Sequence, residues 1–374
     1  MLAIRPCLAI LLIATAVSAD EPRPSVDRHG DPLPNGAVAR FGTNRLRHRG
    51  MDGEDDTFAF RPDGKAVATW NEQTVRLWDV ADGKRLWEFA TQSETLAAAF
   101  SPDGKRLALC TGAGVLVVDA TTGRAERTLV KALRTAVAFS PDSRTVAVGN
   151  RERARPVEVW DAATGKRTAE FVIAAAEVGA LGFSADGKTL RVAYSRPGNG
   201  WPNVCVANWD MTANKRGPVF DPDVRLHTYK LSDDGRWLAS REMASDGIRL
   251  WDTTAVAKSA GEIPIGYANF TFGPGARTVV TANNERPPRR LTRIAVWDAK
   301  TCKMLHEFAV PREMGESAQL SPDGKLVAIP RRGEMLSLWD PQTGEQRLPA
   351  AGHNTQVVGL AFADGGAVLV STST

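Results

Sequence analysis

A six-residue turn recurs along this 374-residue chain and limits its fold more tightly than any other feature: FRPDGK at 60, FSPDGK at 100, FSPDSR at 139, FSADGK at 183, LSDDGR at 231, FGPGAR at 272 and LSPDGK at 320, with a degenerate eighth, FADGG, at 362. A second series interleaves with it and ends at Asp79, Asp119, Asp161, Asp210, Asp252, Asp298 and Asp340. In this series Trp78, Trp160, Trp209, Trp251, Trp297 and Trp339 precede the aspartate, while Val118 takes that place before Asp119. The period is about 39 to 49 residues, so the chain is an array of similar supersecondary units.

Each unit reads as four short strands, clearest in the first: DTFAF, a PDGK turn, AVATW, a turn at Asn71 and Glu72, TVRLWD, a turn ending at Gly83, and RLWEFA. Pro presets φ in such a turn, Asp bonds nearby backbone and Gly takes the positive φ at the strand restart. Four residues after the closing Asp stand Gly83, Gly123, Gly165, Asn214 and Gly344, suited to a left-handed backbone. Val256 and Cys302 depart from this rule and predict differently built hairpins in units five and six. Residues Gly182 to Thr189 match the phosphate-loop pattern G-x-x-x-x-G-K-T. They are the fourth copy of the repeated turn and lead into LRVAYS, which reads as a strand, so the expectation is a hairpin and no nucleotide site.

The strands carry apolar residues on both faces, as in TLAAAF and VLVVD, and a single sheet cannot hide both. Neighbouring sheets must therefore stack on each side, and a ring satisfies every unit. The paired PDG and WD markers, four strands per unit and a period near 42 resemble the WD-repeat β-propeller family from about residue 40 to the C-terminus. The resemblance implies an all-β propeller of four-stranded antiparallel blades. It also implies a tetrad of a His from a Gly-His pair, a Ser or Thr, an Asp and the Trp. Only Gly352-His353 matches that pair; unit five keeps Ser240, Asp246 and Trp251 without the His, so blade stability should rest mainly on apolar packing.

Seven complete units are followed by QVVGLAF and AVLVSTST, two strands of an eighth. TNRLRHR at 43–49 resembles the N-terminal strand that closes such rings, which predicts eight blade positions with the last incomplete; seven blades is the alternative. Ahead of residues 40–374, the segment 20–39 reads as an irregular leader. Residues 1–19 read as a signal peptide cleaved after Ala19, since Arg5 precedes an apolar run that ends in small residues. That run, Pro6 to Ala19, is shorter than the roughly 20 residues a membrane span needs. The expectation is a secreted or periplasmic protein with no membrane span. Cys110, Cys205 and Cys302 stay with the mature chain, an odd and widely spaced set that makes no disulfide framework.

Net charge is +4, too small to imply nucleic acid as partner. Its distribution says more. The longest insertions lie between second and third strands: NRERARP at 150, SRPGNGWPN at 195 and NNERPPRRLTR at 283. Counting this connection through units three to seven gives Arg151, Arg153, Arg155, Arg196, Arg241, Arg286, Arg289, Arg290, Arg293, Arg331 and Arg332 against Glu152, Glu242, Asp246, Glu285 and Glu334. Such a rim favours an acidic or anionic partner, because Arg grips carboxylate or phosphate with two parallel hydrogen bonds. Trp201 in the unit-four insertion is a further candidate anchor.

No HExxH, GxSxG neighbourhood or metal-ligand spacing occurs among His29, His48, His227, His306 and His353. The acidic run MDGEDD at 51–56 lacks the ligand alternation of a calcium loop, and no cofactor or metal is expected. Two function classes stand: a non-catalytic scaffold that binds a macromolecule, most simply protein, through one face; or a propeller enzyme or ligand- or metal-binding protein working at the channel mouth, where His227 lies close to Asp221 and Asp223. A third reading makes the chain one piece of an envelope assembly completed by strand pairing.

Overall fold

The computed structural model describes residues 57–348 apart from 151–155, 174–176, 197–202, 223–225, 243–244, 246, 255–258, 267, 286–290, 312–316, 332–334, and outside that span residues 12–13, 26–27, 31, 33, 45–48, 357–363 and 368–373. The repeated units fold as seven antiparallel blades of a β-propeller, at residues 58–90, 95–130, 136–172, 177–220, 226–263, 269–311 and 319–339. Six blades have four strands in meander order. The seventh has three, with a Trp339–Gln346 bridge in the fourth position. Among the described residues the one helical element is the 3-10 turn Pro274–Ala276, inside the sixth copy of the repeated turn.

The first strands of successive blades approach one another, so they form the inner ring. The core lies between sheets: Ala68, Val75 and Leu77 of blade one meet Leu107, Leu109 and Val118 of blade two, and Ala147, Val157 and Val159 of blade three meet Val178, Leu190 and Val192 of blade four. Each fully buried Leu contributes about 1.5–3 kcal/mol by leaving water, which answers the demand made by strands apolar on both faces.

The ring closes at seven. Gln319 Nε2, on the first strand of blade seven, donates to the Phe58 carbonyl on the first strand of blade one at 2.9 Å. A Cβ on Gly64 would lie 3.7 Å from Pro322 Cδ, so the turns of these two blades also touch. No blade stands between them, and the seven-blade alternative replaces the expectation of eight positions. The eighth half-unit, Val357–Ala363 and Val368–Ser373, instead pairs with Leu12–Ile13 in a three-stranded sheet of a second compact unit, residues 1–47 and 348–374. Leu12–Ile13 falls in the segment read as a signal peptide. Of the segment read as a closing strand, Arg45 and Leu46 form a turn with Leu46 at φ 53°, and His48 is buried in blade one.

The phosphate-loop match is a hairpin, as expected: Gly187 has φ 68° and the strand Thr189–Arg196 follows. Its upstream glycine has a packing reason, since a Cβ on Gly182 would come within 2.7 Å of Gly235 N and 2.9 Å of the Asp233 carbonyl in blade five.

Candidate functional site

Two kinds of hairpin set the two ends of the ring. At one end the first–second and third–fourth strand turns are built by aspartates. In the closing turns the Asp Oδ1 accepts backbone N–H groups two and three residues on, as from Ala81 and Asp82 to Asp79 at 2.8 and 3.2 Å, and from Thr212 and Ala213 to Asp210 at 2.8 Å each. Backbone N–H donors lower the pKa of Asp119 and Asp340, and the hydroxyls of Thr164 and Thr301 lower those of Asp161 and Asp298. Asp252 binds Thr254 in the same way. The WD aspartates are therefore turn-builders.

The unit-six hairpin corrects the sequence expectation. Cys302 takes φ 55° and its N–H bonds the Asp298 carbonyl at 2.8 Å, matching Gly83 at φ 72° bonded to Asp79 at 2.9 Å. Space explains how cysteine fits. In blades two and seven the left-handed residue is glycine because Trp87 or Phe308 of the preceding blade fills the site. Blade five presents Gly261 there, and Cys302 Sγ would lie 2.5 Å from a Cβ on it. Bulk has changed sides across the interface. Val256 lies outside the described residues.

At the other end lie the second–third strand connections that carry the arginines. The flanking strands, for example Thr145–Gly149 with Pro156–Asp161 and Thr278–Asn284 with Leu291–Asp298, open all of them toward the same end of the ring. Arg151, Arg153, Arg155, Trp201, Arg286, Arg289, Arg290 and Arg332 lie outside the described residues. Arg196 and Arg331 are on strand ends. Two arginines of the charge count are already engaged. Arg293 donates to Glu285 at 3.0 Å and to Glu307 at 3.0 Å, and this pairing raises its pKa. Arg241 is buried and donates to the Ala268 carbonyl at 3.4 Å.

Sequence reading missed a buried polar chain in blade one. Trp78 Nε1 donates to Thr69 Oγ1 at 2.8 Å; that hydroxyl meets His48 Nδ1 at 2.7 Å; His48 Nε2 meets Thr74 Oγ1 at 2.7 Å; and the Thr74 hydroxyl donates to Asn71 Oδ1 at 3.1 Å. Asn71 Oδ1 can only accept, so Thr74 spends its one proton there and must accept from His48 Nε2; the proton of the neutral ring therefore sits on Nε2, and Nδ1 accepts from the Thr69 hydroxyl. Burial, and then the neighbouring Arg76, lower the His48 pKa from 6.5 to about 4. His48 is preceded by Arg47, so no Gly-His pair marked it, whereas His353, Asp223 and Asp246 lie outside the described residues.

Among the described residues no group of three or more His, Cys, Asp or Glu is placed to hold a metal ion, and no helix is long and apolar enough to cross a membrane. Cys110 is buried in the interface of blades two and three, where burial pushes its thiol up to about 12. A shallow cleft at the rim end is lined by residues 72–74 and 90–94, Glu72 and Glu94 among them.

These features define the chain as a seven-bladed β-propeller. No family model matches it. It resembles a chain of Kuenenia stuttgartiensis hydrazine synthase with a TM-score of 0.61 and 18% identity, over 80% of this chain and 98% of that one. At that identity the likeness shows the fold alone, and 1560 solved chains match this one, so the fold is a common platform that does not select a function.

Proposed function

We propose that the chain is a non-catalytic binding platform of the WD-repeat type, carried to the cell envelope by its N-terminal signal, which holds a macromolecule against the rim end of the ring. The observation that supports this most is the common placement of the second–third strand connections. Outside Arg241, which is buried, their arginines belong to the connections of four blades that open toward one end, where an acidic protein surface would meet several at once. Association would be electrostatic in character, fast at low salt and weakened by screening.

A second reading, a ligand-binding protein or enzyme, draws on the cleft beside Glu72 and Glu94. It offers two carboxylates and the Ser93 hydroxyl, which suit a cationic or hydroxyl-rich ligand.

The test compares partners captured by tagged mature protein with those captured by a variant in which Arg151, Arg153, Arg155, Arg286, Arg289 and Arg290 become Glu. A partner held by wild type and lost by the folded variant is the expected result. Equal capture by both would move the site away from the rim. Depletion of no protein, together with saturable binding of a small cationic ligand lost in Glu72→Gln, would favour the second reading.

A further inference from the structure

The rim end also carries a feature of opposite sign to its arginines. In blade one the rim-end pair of the third and fourth strands is Thr74 with Ala90. Beyond that pair the chain divides into the turn at 71–73 and the connection 91–94 to blade two, and the cleft between them has a volume of about 600 Å³. That size lies within the range of sites that take a small ligand or a side chain. Both walls are fixed in advance. Asn71 Oδ1 accepts from Gln73 N at 2.9 Å and from Thr74 N at 2.8 Å, and Thr91 N donates to the Gln73 carbonyl at 2.8 Å. On the other side Gly112 N donates to the Glu94 carbonyl and Ala113 N to Ser93 Oγ, each at 2.9 Å, which ties the connection to blade two.

The lining holds acceptors and no cation. Glu72 and Glu94 are exposed and, among the described residues, form no ion pair. Neither Lys, Arg nor His lines the cleft. Thr91 does, and although it is only 8% exposed its hydroxyl has no hydrogen-bond partner among the described residues. A buried hydroxyl in that state is costly and gains from any ligand that reaches it. Beside the acidic walls stands an apolar side chain. The first strand of blade two shifts register between Thr95 and Ala97, so Leu96 is left out of the ladder and is 38% exposed.

We infer that the cleft seats a lysine side chain of the protein that the rim holds. This rests on the platform reading, which supplies the partner. An ammonium brings positive charge and three donors with no acceptor, the complement of two carboxylates and the Thr91 oxygen. The carboxylates come from separate walls, which suits a compact point charge better than the planar fork of a guanidinium. The lysine stem is apolar and can cover Leu96 while its head stays among the acceptors. The partner's contact surface then carries both signs, acidic toward the arginine connections and basic toward blade one, and this fixes its orientation on the ring.

The experiment follows a labelled hexapeptide of alternating leucine and lysine by fluorescence anisotropy as mature protein is added. The same peptide with norleucine for lysine is the neutral comparison, and spermidine is the competitor. The cleft variant carries Glu72→Gln and Glu94→Gln; a control removes as many carboxylates elsewhere, Glu170→Gln and Glu345→Gln. Wild type and control should bind the lysine peptide, and the cleft variant should bind it about tenfold more weakly. Thr91→Val should weaken the peptide and at the same time raise the unfolding midpoint, because it removes a hydroxyl that only the ligand satisfies. A lowered midpoint with unchanged peptide affinity would assign that hydroxyl to the fold and overturn its place in the site. Absence of binding by wild type, or equal loss in the control, would overturn the cleft. Equal affinity for the norleucine peptide would overturn the lysine, and spermidine that displaces the peptide at equal concentration would overturn the partner's side chain as occupant in favour of a small cation. The arginine connections are intact in every variant and repel this probe, so failure here is separable from failure of the platform reading, which the capture of acidic partners reads.

Discussion

Blade one and blade three carry the same Trp-Asp pair at the same register, yet their indoles meet different fates. Trp78 opens a chain of hydrogen bonds through Thr69, His48 and Thr74. Trp160 Nε1 is buried with no partner. One position on the second strand explains this. The acceptor stands two residues beyond the indole's cross-strand partner, which is Val67 for Trp78 and Val146 for Trp160. It is Thr69 in blade one, Ser240 in blade five and Thr281 in blade six, each bonded to its Trp at 2.8–3.0 Å. In blade three it is Val148.

Other blades meet the same deficit differently. In blade four, with Val192 at that position, Trp209 Nε1 goes instead to Asn214 Oδ1 at 3.1 Å and the ring stacks on Phe171 with centroids 3.9 Å apart. Blade seven has Ile329 there, and Trp339 uses Ser337 at 2.9 Å. Blade two dispenses with the indole and buries Val118 opposite Leu107. A buried donor without a partner costs about 1–3 kcal/mol, so blade three should be the least well pinned of those that keep a Trp.

The largest expected effect comes from breaking the chain in blade one. His48→Ala removes two hydrogen bonds, leaves the Thr69 hydroxyl proton without its acceptor and opens a cavity, and should cost about 3–5 kcal/mol in denaturant unfolding. A gentler break uses pH. The folded pKa of His48 lies near 4, below the unfolded 6.5, so stability is intact above pH 6.5 and is lost as pH falls toward 4, by about 3 kcal/mol. Wild type should lose that much more than His48→Gln over this window; parallel curves would show that the ring is not held neutral by the fold.

Smaller effects sharpen the contrast. Trp78→Phe should cost about 1–2 kcal/mol more than Trp160→Phe, because only the first loses a hydrogen bond. Val148→Thr should stabilise by up to about 1 kcal/mol by giving Trp160 an acceptor, while Val192→Thr should destabilise, since Trp209 has turned away. The smallest signal is the exchange of bulk between blades five and six. Gly261→Ala should destabilise in the presence of Cys302, and Cys302→Gly should restore most of that loss, a coupling read by a double-mutant cycle.

The unit boundaries, the four-strand plan and the hairpin at FSADGKT were legible because turn chemistry is local: Ser, Asp and Gly act within five residues. Blade number was not, since it depends on Gln319 meeting Phe58, 261 residues away. His48 escaped because Arg47 stands where the family places glycine. Cys302 misled because the room for its side chain is supplied by Gly261 in another blade. The acceptor rule was present in the sequence all along, but it needs the register, and register is a property of paired strands. For the rim, sequence placed the arginines at one end; that Glu285 and Glu307 hold Arg293 required side-chain geometry.

The account rests on blade seven closing directly on blade one. Equilibrium unfolding of residues 20–374 against residues 20–348 tests this closure. A ring complete at seven predicts that the main cooperative transition survives removal of 349–374 with its midpoint and m-value little changed. Loss of that transition, or a collapse in its m-value, would mean that the C-terminal hairpin completes the ring and would contradict the seven-bladed closure.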